Sequence, residues 1–136
     1  HIYGGAVQLG YALTDAWTIQ TQAEVVRRLA AGGDDLPRTA PVRLRHELQY
    51  GSGGFDAYVG LEQVLRSVYV ADSEEETPGY ELVFAGASYN IEPINTSVWV
   101  KANNLLDQYA QDHSSFIKEQ SPLLGRQFQL GVTANF

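Results

Sequence analysis

The sequence has no cysteine, which excludes a disulfide framework, a thiolate metal site and a cysteine nucleophile. It is also short of cations: nine Lys and Arg stand against sixteen Asp and Glu, a net charge of −7. With no basic patch to neutralise phosphates, nucleic acid is not an expected partner. No apolar run approaches the roughly 18 to 20 residues of a membrane-spanning helix. Nothing at the N-terminus has the form of a signal peptide, since His1 leads straight into Gly-rich, strand-like sequence. Catalytic motifs are missing too. Ser114 and Ser115 follow His113, but without a nucleophile elbow or a Gly-rich oxyanion turn. Gly51-Ser52-Gly53-Gly54 joins two strands, whereas a phosphate loop joins a strand to a helix. Neither an enzyme activity nor a cofactor is expected.

What is present is alternation. At 44% hydrophobic and 18% charged residues, the composition is that of a folded chain, and its dominant pattern has period two. Phe128, Leu130, Val132, Ala134 and Phe136 alternate with Gln127, Gln129, Gly131, Thr133 and Asn135. Trp17, Ile19, Thr21, Ala23 and Val25 alternate with Thr18, Gln20, Gln22, Glu24 and Val26. Val42, Leu44, His46, Leu48 and Tyr50 face away from Arg43, Arg45, Glu47 and Gln49, and Phe55, Ala57, Val59 and Leu61 from Asp56, Tyr58, Gly60 and Glu62. Successive side chains of a strand point to opposite sides, so each segment is a strand with one apolar and one polar face. Residues 5–13, 80–89 and 96–103 read as three less regular strands, seven in all. One short turn of helix fits within residues 104–113.

The connections alternate in length. Short hairpin turns fall at Thr14-Asp15-Ala16, at Gly51-Ser52-Gly53-Gly54 and around Glu92-Pro93, with residues that tolerate turn dihedrals. Residues 31–40, 71–79 and 104–125 form longer loops. Short turns on one rim and long loops on the other are the arrangement of outer-membrane barrels, turns periplasmic and loops extracellular. Tyr11, Trp17, Tyr50, Phe55, Tyr89 and Phe136 all fall at strand ends on the short-turn rim. This clustering is expected of an aromatic belt at a membrane interface. Even so, period two alone leaves two architectures open. A small soluble β-sandwich would put the apolar face in its core, and a large barrel would turn it to lipid. In the barrel, the charged face of Arg43, Arg45, Glu47, Asp56, Glu62 and Lys101 lines a hydrated lumen, where these groups form charge pairs, because unpaired charges cannot enter a dry core.

The last third of the chain favours the barrel. Val98-Trp99-Val100-Lys101-Ala102-Asn103-Asn104-Leu105-Leu106-Asp107-Gln108-Tyr109 resembles the strand, Asn-Leu-x-Asp/Asn, aromatic signature near the end of TonB-dependent receptors. His113-Ser114-Ser115-Phe116-Ile117-Lys118, followed by Ser121-Pro122-Leu123-Leu124-Gly125-Arg126, is similar to the final extracellular loop of that family. Phe136, an aromatic ending an alternating strand, is similar to the outer-membrane assembly signal. Residues 36–44 resemble a loop-to-strand segment of a subgroup that includes zinc-uptake receptors. The resemblance covers the C-terminal forty or so residues well and the rest loosely.

This resemblance implies an all-β fold, an antiparallel up-and-down transmembrane β-barrel segment in which residues 1–136 are the last part of a 22-stranded barrel. Seven strands counted back from a periplasmic C-terminus put His1 in an extracellular loop. An odd number of strands with two open edges does not close a barrel, so a plug domain and earlier strands are expected outside this segment. The implied function is energised uptake of a scarce nutrient, a metal ion or metal chelate, across a Gram-negative outer membrane. The implied partners are outer-membrane lipid and lipopolysaccharide, the assembly machinery, and TonB through the absent N-terminal part. A passive porin-like channel and a soluble β-sandwich binding module are the alternatives.

Three further features carry candidate chemistry. Asp107, Asp112 and His113 are a candidate divalent-metal site, imidazole and carboxylate ligands suiting zinc. The competing reading has His113 hydrogen-bonded within an ordered loop. The acidic run Asp72-Ser73-Glu74-Glu75-Glu76 reads as a solvated loop rather than a cation site. His46 falls mid-strand on the apolar face, where packing is the expected role.

Overall fold

The computed structural model describes residues 1–71, 74–117 and 120–134. It contains seven strands: β1 (Ile2–Ala12), β2 (Trp17–Arg28), β3 (Arg43–Ser52), β4 (Phe55–Val64), β5 (Tyr80–Ile91), β6 (Thr96–Asn103) and β7 (Gln127–Ala134). They form one sheet in sequence order, each strand antiparallel to the next. In such a meander the connections alternate between rims. The turns after β1, β3 and β5 therefore share one rim, and the connections after β2, β4 and β6 share the other. His1 lies at the long-loop rim, where its carbonyl accepts from Leu29 N.

Local chemistry accounts for each tight turn. Thr14 Oγ1 accepts from the backbone N–H groups of Ala16 and Trp17 at 3.2 and 3.1 Å, so a side chain replaces the missing ladder bonds. Between β3 and β4 the turn narrows to Gly53 and Gly54, with φ of 58° and 79°. Two successive positive φ values are the hairpin turn whose twist matches that of the strands, and they favour glycine. After β5 a 3-10 turn, Glu92–Ile94, ends at left-handed Asn95. This is the one helical element among the described residues; the turn of helix expected within residues 104–113 does not form. There, left-handed Asn104 and Asp107 break the backbone into a bend.

Among the described residues, the registers put the alternating sets on their expected sides. Tyr11, Ile19, Leu48, Val59 and Ala85 pair across five strands, as do Trp17, Tyr50, Ala57, Ala87, Val100 and Leu130 across β2 to β7. Among the described residues no second layer covers this apolar face: Ile19, Val59, Leu130 and Val132 are 40%, 47%, 81% and 67% exposed. A soluble sandwich would bury these same side chains. The small buried cluster lies elsewhere, at the long-loop end of the polar face, where Val64, Tyr80 and Ala110 pack with Leu82 and Leu123.

Three cross-strand pairs on the polar face join an aromatic ring to a glycine: Tyr58 with Gly86, Phe84 with Gly60, and Trp99 with Gly131. Each ring occupies the space where the facing residue's Cβ would stand. Close approach of a ring to backbone is a specific use of glycine within a strand.

Candidate functional site

The polar face gathers the expected charges on one side of the sheet, but only some of them pair. Arg43 lies 3.7 Å from Glu62, and Arg45 reaches Glu47 at 3.0 Å and Glu62 at 3.6 Å. Arg45 also sits over the Phe84 ring, 3.8 Å from its centroid. Gln49 donates to Glu47 at 2.6 Å and Gln20 donates to Gln49 at 3.2 Å, so the charges continue into a band of amides. Asp56 and Lys101 depart from the expected pairing, as neither takes part in an ion pair among the described residues. The register separates them: Lys101 faces Gly86 while Asp56 faces Ser88. Lys101 is held over the Trp99 ring, 5.2 Å from its centroid. Both line a hollow of about 310 Å³ with Gln49, Tyr58, Ser88 and Trp99.

On the apolar face, Tyr11, Trp17, Tyr50, Phe55 and Tyr89 lie near the short-turn rim. Trp17 and Tyr50 have ring centroids 4.8 Å apart, and Tyr50 and Phe55 6.1 Å apart. Phe136, the sixth aromatic and the expected assembly signal, lies outside the described residues. His46 is on the apolar face as expected, and its Nδ1 is 3.1 Å from Thr21 Oγ1 on β2.

The long-loop rim corrects the metal expectation. Asp107, Asp112 and His113 do not converge, and among the described residues no group of three or more metal-binding side chains assembles. Each is engaged separately. Asp107 Oδ1 accepts from Arg126 N at 2.8 Å. Asp112 Oδ1 accepts from the backbone N and Oγ of Ser114 at 2.9 and 2.6 Å, which caps a turn. His113 is buried, with Nδ1 3.0 Å from Thr77 Oγ1 and Nε2 3.3 Å from Glu74 Oε2. Glu74 Oε2 also accepts from Arg38 N at 2.9 Å. His113 thus joins its loop to the one holding Thr77 and Glu74, and Glu74 carries the link on to Arg38 in a third, which is the ordered-loop reading extended across the rim.

The acidic run is likewise more structured than a solvated loop. Asp72 and Ser73 lie outside the described residues, but the Glu74 side chain is only 9% exposed and Glu76 pairs with Arg66.

The motif that carried the family resemblance now has a physical role. Asn104, buried at the end of β6, donates from Nδ2 to the carbonyls of Gln108 and Leu124 and accepts from Gln108 N through Oδ1, at 2.9, 3.2 and 2.8 Å. Asp107 then holds Arg126 N, and a Cβ on Gly125 would come within 2.7 Å of Asp107 Oδ1. Asn104, Asp107 and Gly125 are the stitching that closes the base of the longest loop.

No known protein-family profile matches the chain. Among solved structures it is similar to one described as the copper transporter OprC, with a TM-score of 0.90 and 20% identity over 99% of this chain and 24% of that one. It is also similar to a mutant of the ferric enterobactin receptor PfeA from Pseudomonas aeruginosa, with a TM-score of 0.73 and 16% identity over 96% of this chain and 22% of that one. The chain thus spans less than a quarter of the length of either protein. At such identities the likeness is one of fold. The chain folds as a seven-stranded, antiparallel up-and-down segment of a β-barrel wall.

Proposed function

We propose that the chain is part of the barrel wall of a TonB-dependent outer-membrane receptor that takes up a scarce nutrient, a metal ion or metal chelate. The observation that carries this reading is the single-layer sheet with an open apolar face and an opposite face of paired charges and amides. A wall between lipid and a wet lumen needs those two faces, whereas a soluble protein of this size would cover the first. The similarity to a copper transporter and a ferric enterobactin receptor supports the cargo class, and the resemblance of residues 36–44 makes zinc the first metal to test. In this reading the complete barrel has 22 strands, and a plug domain and the TonB-contacting segment lie outside residues 1–136. Loops 29–42, 65–79 and 104–126 are extracellular, and the aromatic row from Tyr11 to Tyr89 sits at the periplasmic interface. Lipopolysaccharide surrounds the loop ends. No covalent chemistry is involved.

Deleting the parent gene should abolish growth on a limiting metal source, and deleting tonB should abolish it equally. Uptake that survives loss of TonB would instead identify a passive channel. Insertion supplies a separate test. Phe136 closes the alternating C-terminal sequence, so Phe136→Asp should lower the folded protein in outer-membrane fractions without changing synthesis, while Phe136→Tyr keeps an aromatic ring and should be tolerated. Wild-type levels of heat-modifiable Phe136→Asp protein would reduce Phe136 to a belt residue.

A further inference from the structure

Arginine in this chain is normally neutralised. Arg27, Arg43, Arg45 and Arg66 each lie within ion-pair distance of a carboxylate. In a chain of net charge −7, guanidiniums without such a partner are conspicuous. Among the described residues Arg28, Arg38 and Arg126 take part in no ion pair. Two of these three, Arg28 and Arg38, line one cavity of about 450 Å³ at the long-loop rim, together with Leu36, Pro37, Ser114 and Phe116.

Glu74 and Asp112, carboxylates bonded to residues lining this cavity, are already engaged. Glu74 accepts the backbone N–H of Arg38 and faces His113, and Asp112 is bound by Ser114. Arg38 has a left-handed backbone, φ 59°, which is uncommon for a residue with a long side chain and concentrates at functional positions. Its guanidinium lies 3.5 Å from the centroid of the Phe116 ring. A guanidinium held over a ring presents its N–H fork outward in its own plane, the geometry that suits a carboxylate or phosphate. Phe116 is 85% exposed, leaving an aromatic surface beside that fork.

We infer that Arg28, Arg38 and Phe116 form a binding site for a small anion that carries a carboxylate or phosphate group beside an apolar or ring-bearing portion. Arg28 belongs to the polar face of β2, opposite the apolar face, so the site opens away from lipid, and a lipid headgroup is not its ligand. The size suits a drug-sized molecule. The inference deepens the uptake reading, on which it rests for the accessibility of this rim from outside the cell. Two unneutralised guanidiniums repel a free metal cation, so the site takes a cargo that arrives as an anionic complex.

The test is titration of the complete parent protein, purified in detergent, with para-fluorobenzoate followed by fluorine NMR. Saturable binding is expected, with inorganic phosphate competing and zinc chloride not competing. Arg28→Gln and Arg38→Asn should each weaken binding about tenfold, the scale of one charge-assisted hydrogen bond. Asparagine is chosen at position 38 because it tolerates the left-handed backbone. Phe116→Leu should weaken fluorobenzoate but not phosphate. Arg126→Gln, outside the cavity, should bind as wild type. Heat modifiability verifies that each variant is folded. Absence of saturable binding, or folded Arg28→Gln and Arg38→Asn variants that bind as wild type, overturns the site. If binding depends on both arginines but the parent supports no uptake, the site stands and the transport reading fails. Uptake without arginine-dependent binding has the opposite meaning.

Discussion

The two faces of the sheet use similar residues for different ends. On the apolar face, several side chains away from the aromatic row stand free: Leu9, Leu130 and Val132 are 66%, 81% and 67% exposed, and a methyl group added at Gly5 would meet nothing within 4 Å. On the polar face, side chains lean on one another. Arg45 binds two glutamates and covers Phe84, and three rings lie across three glycines. The face that looks ready to form a core is left open, and the face rich in charge is the one knit together. In the barrel wall proposed above, apolar side chains toward lipid need no specific partner, because hydrocarbon accepts any of them. Charges and amides toward water must satisfy each other or be hydrated.

Placing a charge on the apolar face should have the largest effect. Val59→Arg should cost about 2–4 kcal/mol in a bilayer if that face meets the hydrocarbon midplane. Gln129→Arg on the polar face should stay within about 0.5 kcal/mol of wild type. Urea unfolding of the parent protein in lipid reads both, and equal costs would erase the distinction between the faces.

A smaller effect is expected from backbone sites. Gly60→Ala places a Cβ against the Phe84 ring and 2.7 Å from the His46 carbonyl, so it should cost about 1–3 kcal/mol. Gly5→Ala should be neutral or gain a few tenths of a kcal/mol, since alanine loses less backbone freedom than glycine. Adding Phe84→Ala to Gly60→Ala should recover part of the loss, and a purely additive double mutant would show that the ring is not the obstacle.

The smallest effect is local and leaves both faces intact. Asn104→Gly keeps the left-handed backbone but deletes three hydrogen bonds at the loop base. It should lower local stability by about 1–2 kcal/mol, read as faster protease cleavage between residues 108 and 124. Slower folding of the whole sheet would instead put Asn104 among the residues that set strand pairing.

Alternation makes all seven strands legible in the sequence, because a face exposed throughout to one solvent leaves an uninterrupted period-two record. Turn chemistry is equally direct at Gly53-Gly54 and Thr14. What alternation does not contain is register. Tyr58, Gly60, Phe84, Gly86, Trp99 and Gly131 all sit at polar-face positions, yet only the pairing of strands shows that each glycine accommodates a ring. The same gap explains Asp56 and Lys101, opposite in sign and on the same face, but set against Ser88 and Gly86 rather than each other. In the loops, closeness in sequence misleads. Asp112 and His113 are adjacent, but one caps its own turn while the other reaches Thr77 and Glu74. Arg28 and Arg38 carry no signal, since convergence on one cavity depends on a loop path that no periodicity encodes.

The ladders run without a bulge, with continuous one-to-one partners from β1 to β7, and this gives the wall something like a reading frame. Removing Gly60 from the middle of β4 would turn every later side chain of that strand to the opposite face, Leu61 to the charged side and Glu62 to the apolar side. Removing two would restore the faces and merely shorten the strand. Single deletions in β4 should therefore be less tolerated than double ones, measured as heat-modifiable protein in membrane fractions. By the same logic the loops, where no facing pattern has to be kept, should accept a change of length that the strands do not.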